Sequence, residues 1–369
     1  MACASAIVNP EARRSSPGKG ADWAGNEGRL PSALPPARPP VWRHPIRDSL
    51  HAYVYLLPAG VVLAVFWFLP IILAALLSAT NWRGGDALEM VRFAGLDNYR
   101  RALSGGEFRQ AFYNTLNYSL LTVPITLGAG LAAALLLNRK LRGIGLFRTL
   151  SFLPYVTTWV AIAIVWRVFF DREFGLANQA LSALHAGWRL EWLDEPRGIW
   201  EMLVGALLRR PGFDIPSSVR FGPLLEGPSL AMACLAIATV WREAGFAMVV
   251  YLAGLQAIDR VYYEAACIDG AGPWARLRHI TLPLLGPTTF FLLIVSLIEA
   301  MKMFVPALVM TPGGGPARTT TSLVFYLYRV GFSETWEMGY ASAVAYLLFG
   351  LILVLTLVQT VALRLRSRG

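Results

Sequence analysis

The chain has 369 residues, of which 56% are hydrophobic and only 15% charged, with a mean hydropathy of +0.50 and a formal net charge of +10 at pH 7. That balance excludes an ordinary soluble domain. A basic excess can also mark a nucleic-acid binder, but no nucleic-acid motif is present, and the Lys and Arg residues instead gather in short segments between long apolar runs.

Residues 1–50 carry Pro31, Pro35, Pro36, Pro39 and Pro40 among Ala, Gly and Arg, with no apolar periodicity. This predicts a disordered cytoplasmic tail, and no short apolar core with a cleavage site makes it a secretory signal. Residues 51–366 then read as one membrane domain. Ala52 to Thr80, Ala111 to Asn138 and Met338 to Leu363 contain no charged residue at all. Each exceeds the roughly 20 apolar residues that a helix needs to cross about 30 Å of hydrocarbon. Thr149 to Trp166 and Ile280 to Ile298 are shorter, and Gly227 to Ile258 is broken only by Arg242 and Glu243. The prediction is an all-α integral membrane protein with six spans at about 53–79, 112–137, 149–170, 230–254, 285–310 and 339–363. Uniform apolarity argues against a β-barrel, whose strands alternate.

Charge sets the orientation. The short loop after span two holds Arg139, Lys140, Arg142 and Arg148 with no acid, and Arg364, Arg366 and Arg368 end the chain. Dense basic residues in short segments stay inside, so both termini are expected to be cytoplasmic. Residues 197–228 are expected to lie on the extracytoplasmic side ahead of span four, as an insertion longer than the family resemblance described below implies. Ile199 to Leu208 is a candidate interfacial helix within it.

Arg242 and Glu243 fall about twelve residues from the inner end of span four, and Glu299 and Lys302 about fourteen and seventeen from that of span five. At 1.5 Å per residue their depths are roughly 18 Å and 21–26 Å, so the two pairs overlap in level. Intramembrane charges are costly and by default mark a pathway. Glu299 and Lys302, at i and i+3, can pair along one helix face. Arg242 and Glu243 are adjacent, point in different directions and are expected to need partners elsewhere, Arg242 with Glu299 across the spans being one option. Two readings stand: an ion-pair lock between spans four and five, or the lining of a translocation path.

Between those spans lies a cytoplasmic loop, residues 255–285, containing EAACIDGAGPWARLRHITLP from Glu264 to Pro283. Asp259 is placed to cap a first short helix through Cys267. Gly270 and Gly272 supply a reversal, and Pro273 suits the first position of a second helix. Trp274, Leu277 and Ile280 form an apolar stripe. Such a helix pair fits helix-in-groove docking. The four-part spacing of Glu264-Ala265-Ala266, Gly270 and Ile280-Thr281-Leu282-Pro283 resembles the EAA loop of ATP-binding-cassette importer permeases. YLAGLQAI (Tyr251 to Ile258) and Leu284 to Pro287 look like the carbohydrate-type branch, maltose- and glycerol-phosphate-permease-like. FAGLDNYRRAL (Phe93 to Leu103), FGLANQAL (Phe174 to Leu181), WLDEP (192–196) and TPGGGPARTT (Thr311 to Thr320) with Tyr326 and Tyr328 resemble that branch's loops, extending the likeness over about residues 50–365.

The resemblance implies a type I importer permease core in a bacterial inner membrane, with the loop between the fourth and fifth spans acting as a coupling helix. Its ATPase contacts would be Glu264, Ala265, Ala266, Gly270, Ile280, Leu282 and Pro283. It implies two cytoplasmic ATP-binding subunits, a second permease, most often a paralogue, and an extracytoplasmic solute-binding protein. The solute would be a sugar or sugar-like molecule. The path would involve Arg242, Glu243, Glu299 and Lys302. The residues themselves exclude ATP hydrolysis by this chain. Its three lysines, Lys19, Lys140 and Lys302, lie in no P-loop, and ATP must act through a partner. No spacing suggests a metal site, a bound cofactor or a catalytic constellation, and Cys3, Cys234 and Cys267 suggest no disulfide. An ion-gradient-driven secondary transporter is the alternative. Glu243 and Glu299 are its only support, without the inverted repeats such a protein would show.

Overall fold

The computed structural model describes residues 46–138, 142–184, 189–199 and 227–366. Most of the Pro-rich tail, Arg139, Lys140, the interior of the 197–228 insertion with its candidate helix, and Arg368 lie outside the described residues. The chain divides into two units, residues 1–71 and 72–369.

A helix runs over Ile46–Leu63 and passes through a π-helical turn, Ala64–Phe68, before continuing in Leu69–Ser78, within which the division between the units falls. Pro70 has no N–H to offer the Phe66 carbonyl, so the ladder cannot run in α register there, and the wider turn sits just ahead of it. The apolar stretch Tyr53–Ser78 matches the predicted span one.

The second unit is helical, with no strand longer than an isolated bridge among the described residues. Spans two, four, five and six are Gly106–Leu137, Leu230–Ala257, Gly286–Met310 and Met338–Ala362. Span two starts six residues before the expected 112, because polar Gly106 to Gln110 still extends the helix. Span five is interrupted: its helix Gly286–Met301 stops, Lys302 to Phe304 leave the helical path, and Val305–Met310 resumes, with Pro306 in the first turn. Span three departs furthest from expectation. In place of one helix over 149–170 there are two, Ile144–Val156 and Trp159–Phe169, bent by 98°, so the described residues hold five helices long and apolar enough to cross a membrane, or six if this bent pair is one span. Thr157 and Thr158 between them are extended, with ψ of 145° and 140°. Pro154, already lacking its ladder hydrogen bond, weakens the turn that breaks.

Spans two and four form the most extensive helix pair. They meet on small residues. A Cβ on Gly130 would lie 2.5 Å from the Ala247 Cβ, and Ala134, Ala231 and Ala238 are fully buried. Where lipid offers no hydrophobic drive between helices, such close backbone approach supplies the packing that holds them. Span two reads as apolar, yet it buries Thr115, Ser119, Thr122 and Thr126. The hydroxyls of Thr115, Ser119 and Thr122 each donate to the carbonyl four residues back, at 2.7–2.8 Å, so burial leaves none of the three unpaired.

At the end opposite residues 260–285, side-chain amides organise the loops. Asn98 donates to the carbonyls of Ser78 and Thr80 at 2.9 and 2.7 Å, closing the end of span one. Asn178 donates to the Arg172 and Leu190 carbonyls and accepts from the Leu190 amide and the Trp192 indole, all within 3.0 Å. Asn114 holds the carbonyls of Arg318 and Thr321, pinning the Gly-rich loop to span two. The Asp171 carboxylate accepts from the amides of Phe174 and Glu173, both at 2.9 Å, which holds its carboxyl below the usual range. Arg197 does the same for Glu195. Arg101 and Arg83 converge on Glu337 at 2.6 and 3.2 Å, joining the segment after span one to the start of span six. The two ends of the insertion are themselves paired, Ile199 N–H to the Pro228 carbonyl at 2.9 Å.

Candidate functional site: an exposed helix pair and an intramembrane cavity

The loop after span four folds as its sequence predicts. Asp259 accepts from the Val261 amide at 3.1 Å and opens the helix Arg260–Ile268. That helix ends in a Schellman arrangement: Gly270 N–H bonds the Cys267 carbonyl, Ala271 N–H the Ala266 carbonyl, and Gly270 takes φ +72°. Gly272, expected to share the reversal, instead has φ −69° and stands extended before Pro273, so only one residue needs glycine's freedom. The second helix, Pro273–Arg276, continues through a π-helical turn, Leu277–Thr281. The Tyr263 hydroxyl meets the Thr281 hydroxyl at 3.0 Å and ties the two limbs together.

Glu264, Ala265, Gly270, Leu282 and Pro283 are exposed, while Ala266 and Ile280 are half-buried. Ile268 is 87% and Trp274 71% exposed, a pair of large apolar side chains uncovered among the described residues. Large apolar groups at the tip of a well-formed helix pair have the chemistry of a contact surface.

Deeper in the second unit, spans two, three, four and five enclose a cavity of about 150 Å³. Glu243, Glu299 and Lys302 border it, together with Trp159, Tyr118, Thr239 and the span-two hydroxyls of Thr122 and Thr126. Lys302 and Glu299 pair at 2.7 Å along one helix, as their spacing predicts, and both side chains are about half exposed. The Tyr118 hydroxyl is 2.5 Å from that of Thr239. The cavity combines carboxylates, hydroxyls and aromatic rings, which can accept from, donate to and stack against a polyhydroxylated molecule.

Arg242 is the correction. It does not border the cavity and does not reach Glu299. It pairs with its neighbour Glu243, and a second nitrogen donates to the Tyr155 carbonyl at 3.0 Å. Adjacent Cα–Cβ bonds diverge on a helix, but an arginine stem is long enough to fold back along it. The cavity's other walls, Trp159 and the hydroxyls of Tyr118, Thr122, Thr126, Thr239 and Ser296, were not singled out by sequence reasoning. Their one signal is the run of hydroxyls three or four residues apart in span two, Thr115, Ser119, Thr122 and Thr126, a polar stripe inside an apolar helix.

Comparison with known proteins agrees with this architecture. Residues 125–367 match the family described as binding-protein-dependent transport system inner membrane component. The chain is 34% identical over 321 residues to the lactose transport system permease protein LacF of Rhizobium radiobacter, covering 86% of this chain and 96% of that protein. It is 32% identical to the trehalose/maltose transport system permease protein MalF of Thermococcus litoralis, covering 85% and 93%. Against the sn-glycerol-3-phosphate transport system permease protein UgpA of Yersinia pestis it is 30% identical, covering 83% and 92%. The fold resembles a chain in the crystal structure of a bacterial ABC transporter involved in the import of the acidic polysaccharide alginate, with TM-score 0.66, 23% identity, and coverage of 86% of this chain and 96% of that one. With the family matched over most of the sequence and the relatives over nearly their whole length, the chain belongs to the binding-protein-dependent transport system inner membrane components, transport subunits rather than enzymes.

Proposed function

We propose that this chain is the path-forming subunit of an ATP-driven importer for a sugar or sugar-like solute. Three of the relatives above carry solute names: lactose, trehalose/maltose and sn-glycerol-3-phosphate. The observation that carries the proposal is the exposed helix pair: its motif residues Glu264, Ala265 and Gly270 and its apolar tip at Ile268 and Trp274 are left exposed among the described residues. A cytoplasmic ATPase subunit is the occupant such a surface suits, two of them serving a pore completed by a second permease. A solute-loaded binding protein would approach the loops after spans one, three and five. Both termini would then be cytoplasmic.

In this scheme ATP-driven closure of the ATPases moves the Arg260–Arg276 helix pair, and spans four and five, which emerge directly from it, carry the movement to the cavity. Glu243, Glu299 and Lys302 line the solute's route there, with the hydroxyls of spans two and four. Arg242 borders it only indirectly.

The test is Gly270→Asp in the reconstituted complex. The variant should insert and unfold as the parent does but fail to co-purify with the ATPase; a normally assembled complex with solute-stimulated ATP hydrolysis would refute the coupling role. Orientation is checked on a Cys-free background: a cysteine at Arg142 should resist an impermeant thiol reagent added outside, and labelling there would overturn the topology.

A further inference from the structure

A continuous span three would bond the Trp159 amide to the Tyr155 carbonyl, four residues back. The 98° elbow removes that bond and leaves the carbonyl at the end of Ile144–Val156 without its helical donor. Such a carbonyl needs a donor from elsewhere in the protein or from water. One donor is 87 residues away in sequence: Arg242 Nη2 on span four, at 3.0 Å.

The same guanidinium touches both halves of the broken span. Its central carbon lies 4.9 Å from the Tyr155 ring, on the first half, and 4.7 Å from the Trp159 ring, the first residue of the second. Its remaining charge is met by the Glu243 carboxylate. Backbone packing supports the arrangement independently. A Cβ on Gly245 would stand 2.2 Å from the Ser151 carbonyl oxygen, so span four is pressed against the first half one turn from Arg242. Phe246 stacks on Tyr155 with ring centres 4.9 Å apart and planes 17° apart. Two of the groups Arg242 holds, Trp159 and Glu243, are walls of the cavity.

We infer that Arg242 is a positioning residue: it fixes the elbow of span three and thereby sets Trp159 and Glu243 at the cavity, without itself meeting the solute. The functional half of this inference rests on the proposal that the cavity lies on the solute's route; the elbow half does not. Lysine cannot take the role. A single ammonium has neither the planar face to lie between two rings nor the fork that reaches a carbonyl and a carboxylate together.

The experiment uses the assembled complex in lipid nanodiscs, with Cys3, Cys234 and Cys267 replaced. Spin labels at exposed Leu146 and Val168, one on each half, report the elbow as a distance distribution. A cysteine at Ser296, on the cavity wall, reports cavity shape through its rate of thiol labelling. The parent should give one narrow distance. Arg242→Ala and Arg242→Lys should both lose it, and both should change the Ser296→Cys labelling rate, at a temperature below the Tm of every variant compared. Glu299→Gln should keep the narrow distance. Should the alanine variant fail to assemble, Arg242→Lys carries the measurement. A single narrow distance retained in Arg242→Lys would overturn the inference, since a charge alone would then suffice. Loss of the distance with an unchanged labelling rate would overturn the link to the cavity. A transported solute that never protects Ser296→Cys would refute the route and leave the elbow result standing.

Discussion

The loop at 260–285 and the elbow around Arg242 are both built from short helices joined at a break, yet they are solved in opposite ways. In the loop the break is closed locally. Gly270 supplies the left-handed turn, Ala271 and Gly270 satisfy the freed carbonyls, and the apolar groups are left facing outward. At the elbow nothing local suffices. The freed carbonyl is met from another span, and the surrounding side chains face inward on one another. A region whose helix-end carbonyls are met by its own backbone while its apolar surface is bare has the form of a contact surface. A region that consumes distant side chains to complete its hydrogen bonds is shaped by the chain for itself.

Two glycines put that contrast to the sharpest test. Gly245→Leu forces side-chain atoms into the Ser151 carbonyl, which is backbone and cannot swing aside, and this places the variant at the upper end of the roughly 1–3 kcal/mol that overpacking costs. A large fall in Tm, or loss of monodisperse protein, is expected. Gly272→Ala, in the loop, meets nothing within 4 Å and has a φ that alanine tolerates, so its stability should stay within about 0.5 kcal/mol of the parent. Equal Tm losses in the two variants would erase the distinction.

Gly270→Asp comes next. Its positive φ makes any side chain strained by roughly 1–2 kcal/mol, but only locally, so Tm should barely move while ATPase co-purification is lost. Glu299→Gln sharpens the comparison from inside the membrane. An ion-pair lock with Arg242 would make this change cost on the order of 3–5 kcal/mol. The carboxylate is instead paired with Lys302 and borders the cavity, so a smaller loss than a lock would give is expected, with a change in uptake rate or solute preference. Wild-type uptake in that variant would remove Glu299 from the route.

The smallest effect lies at Asp171. Its folded-state pKa is depressed by two backbone amides, so its contribution is present above the unfolded value, near pH 4, and disappears as pH falls through the folded pKa. Asp171→Asn should therefore lower Tm slightly at pH 7, and the gap to the parent should close on acidification below about pH 4. A gap that persists unchanged at low pH would assign the effect to packing instead.

Much of this was legible in the sequence because its causes are local. Charge-free length marks spans one, two and six, and the cap, the reversal and Pro273 mark the loop helices. The Glu299–Lys302 pair followed from spacing alone. The 98° bend did not, because Thr149 to Trp166 is uniformly apolar and Pro154 alone does not specify an angle. What stabilises the bend is an arginine on another span, and no periodicity reports that. The Arg242–Glu243 pair is hidden for a similar reason: adjacent residues point in different directions on a helix, and only the reach of the arginine side chain brings them together. One further regularity went unused. Gly95-Leu96-Asp97-Asn98 and Gly175-Leu176-Ala177-Asn178 share a G-L-x-N pattern, and in both the Asn is a buried hydrogen-bond hub that closes a loop against the end of a span.

Breaking span three also has an electrostatic consequence. An unbroken helix would have no ends at the bend, whereas here there are two, and a helix start carries the equivalent of about half a positive elementary charge. The start of Trp159–Phe169 stands at the cavity wall, because Trp159 is both its first residue and part of that wall. That field comes from peptide dipoles, not from an ionisable group. It is present whatever the protonation of Glu243 or Glu299, and so the cavity keeps a fixed component of polarity that acid or base cannot discharge.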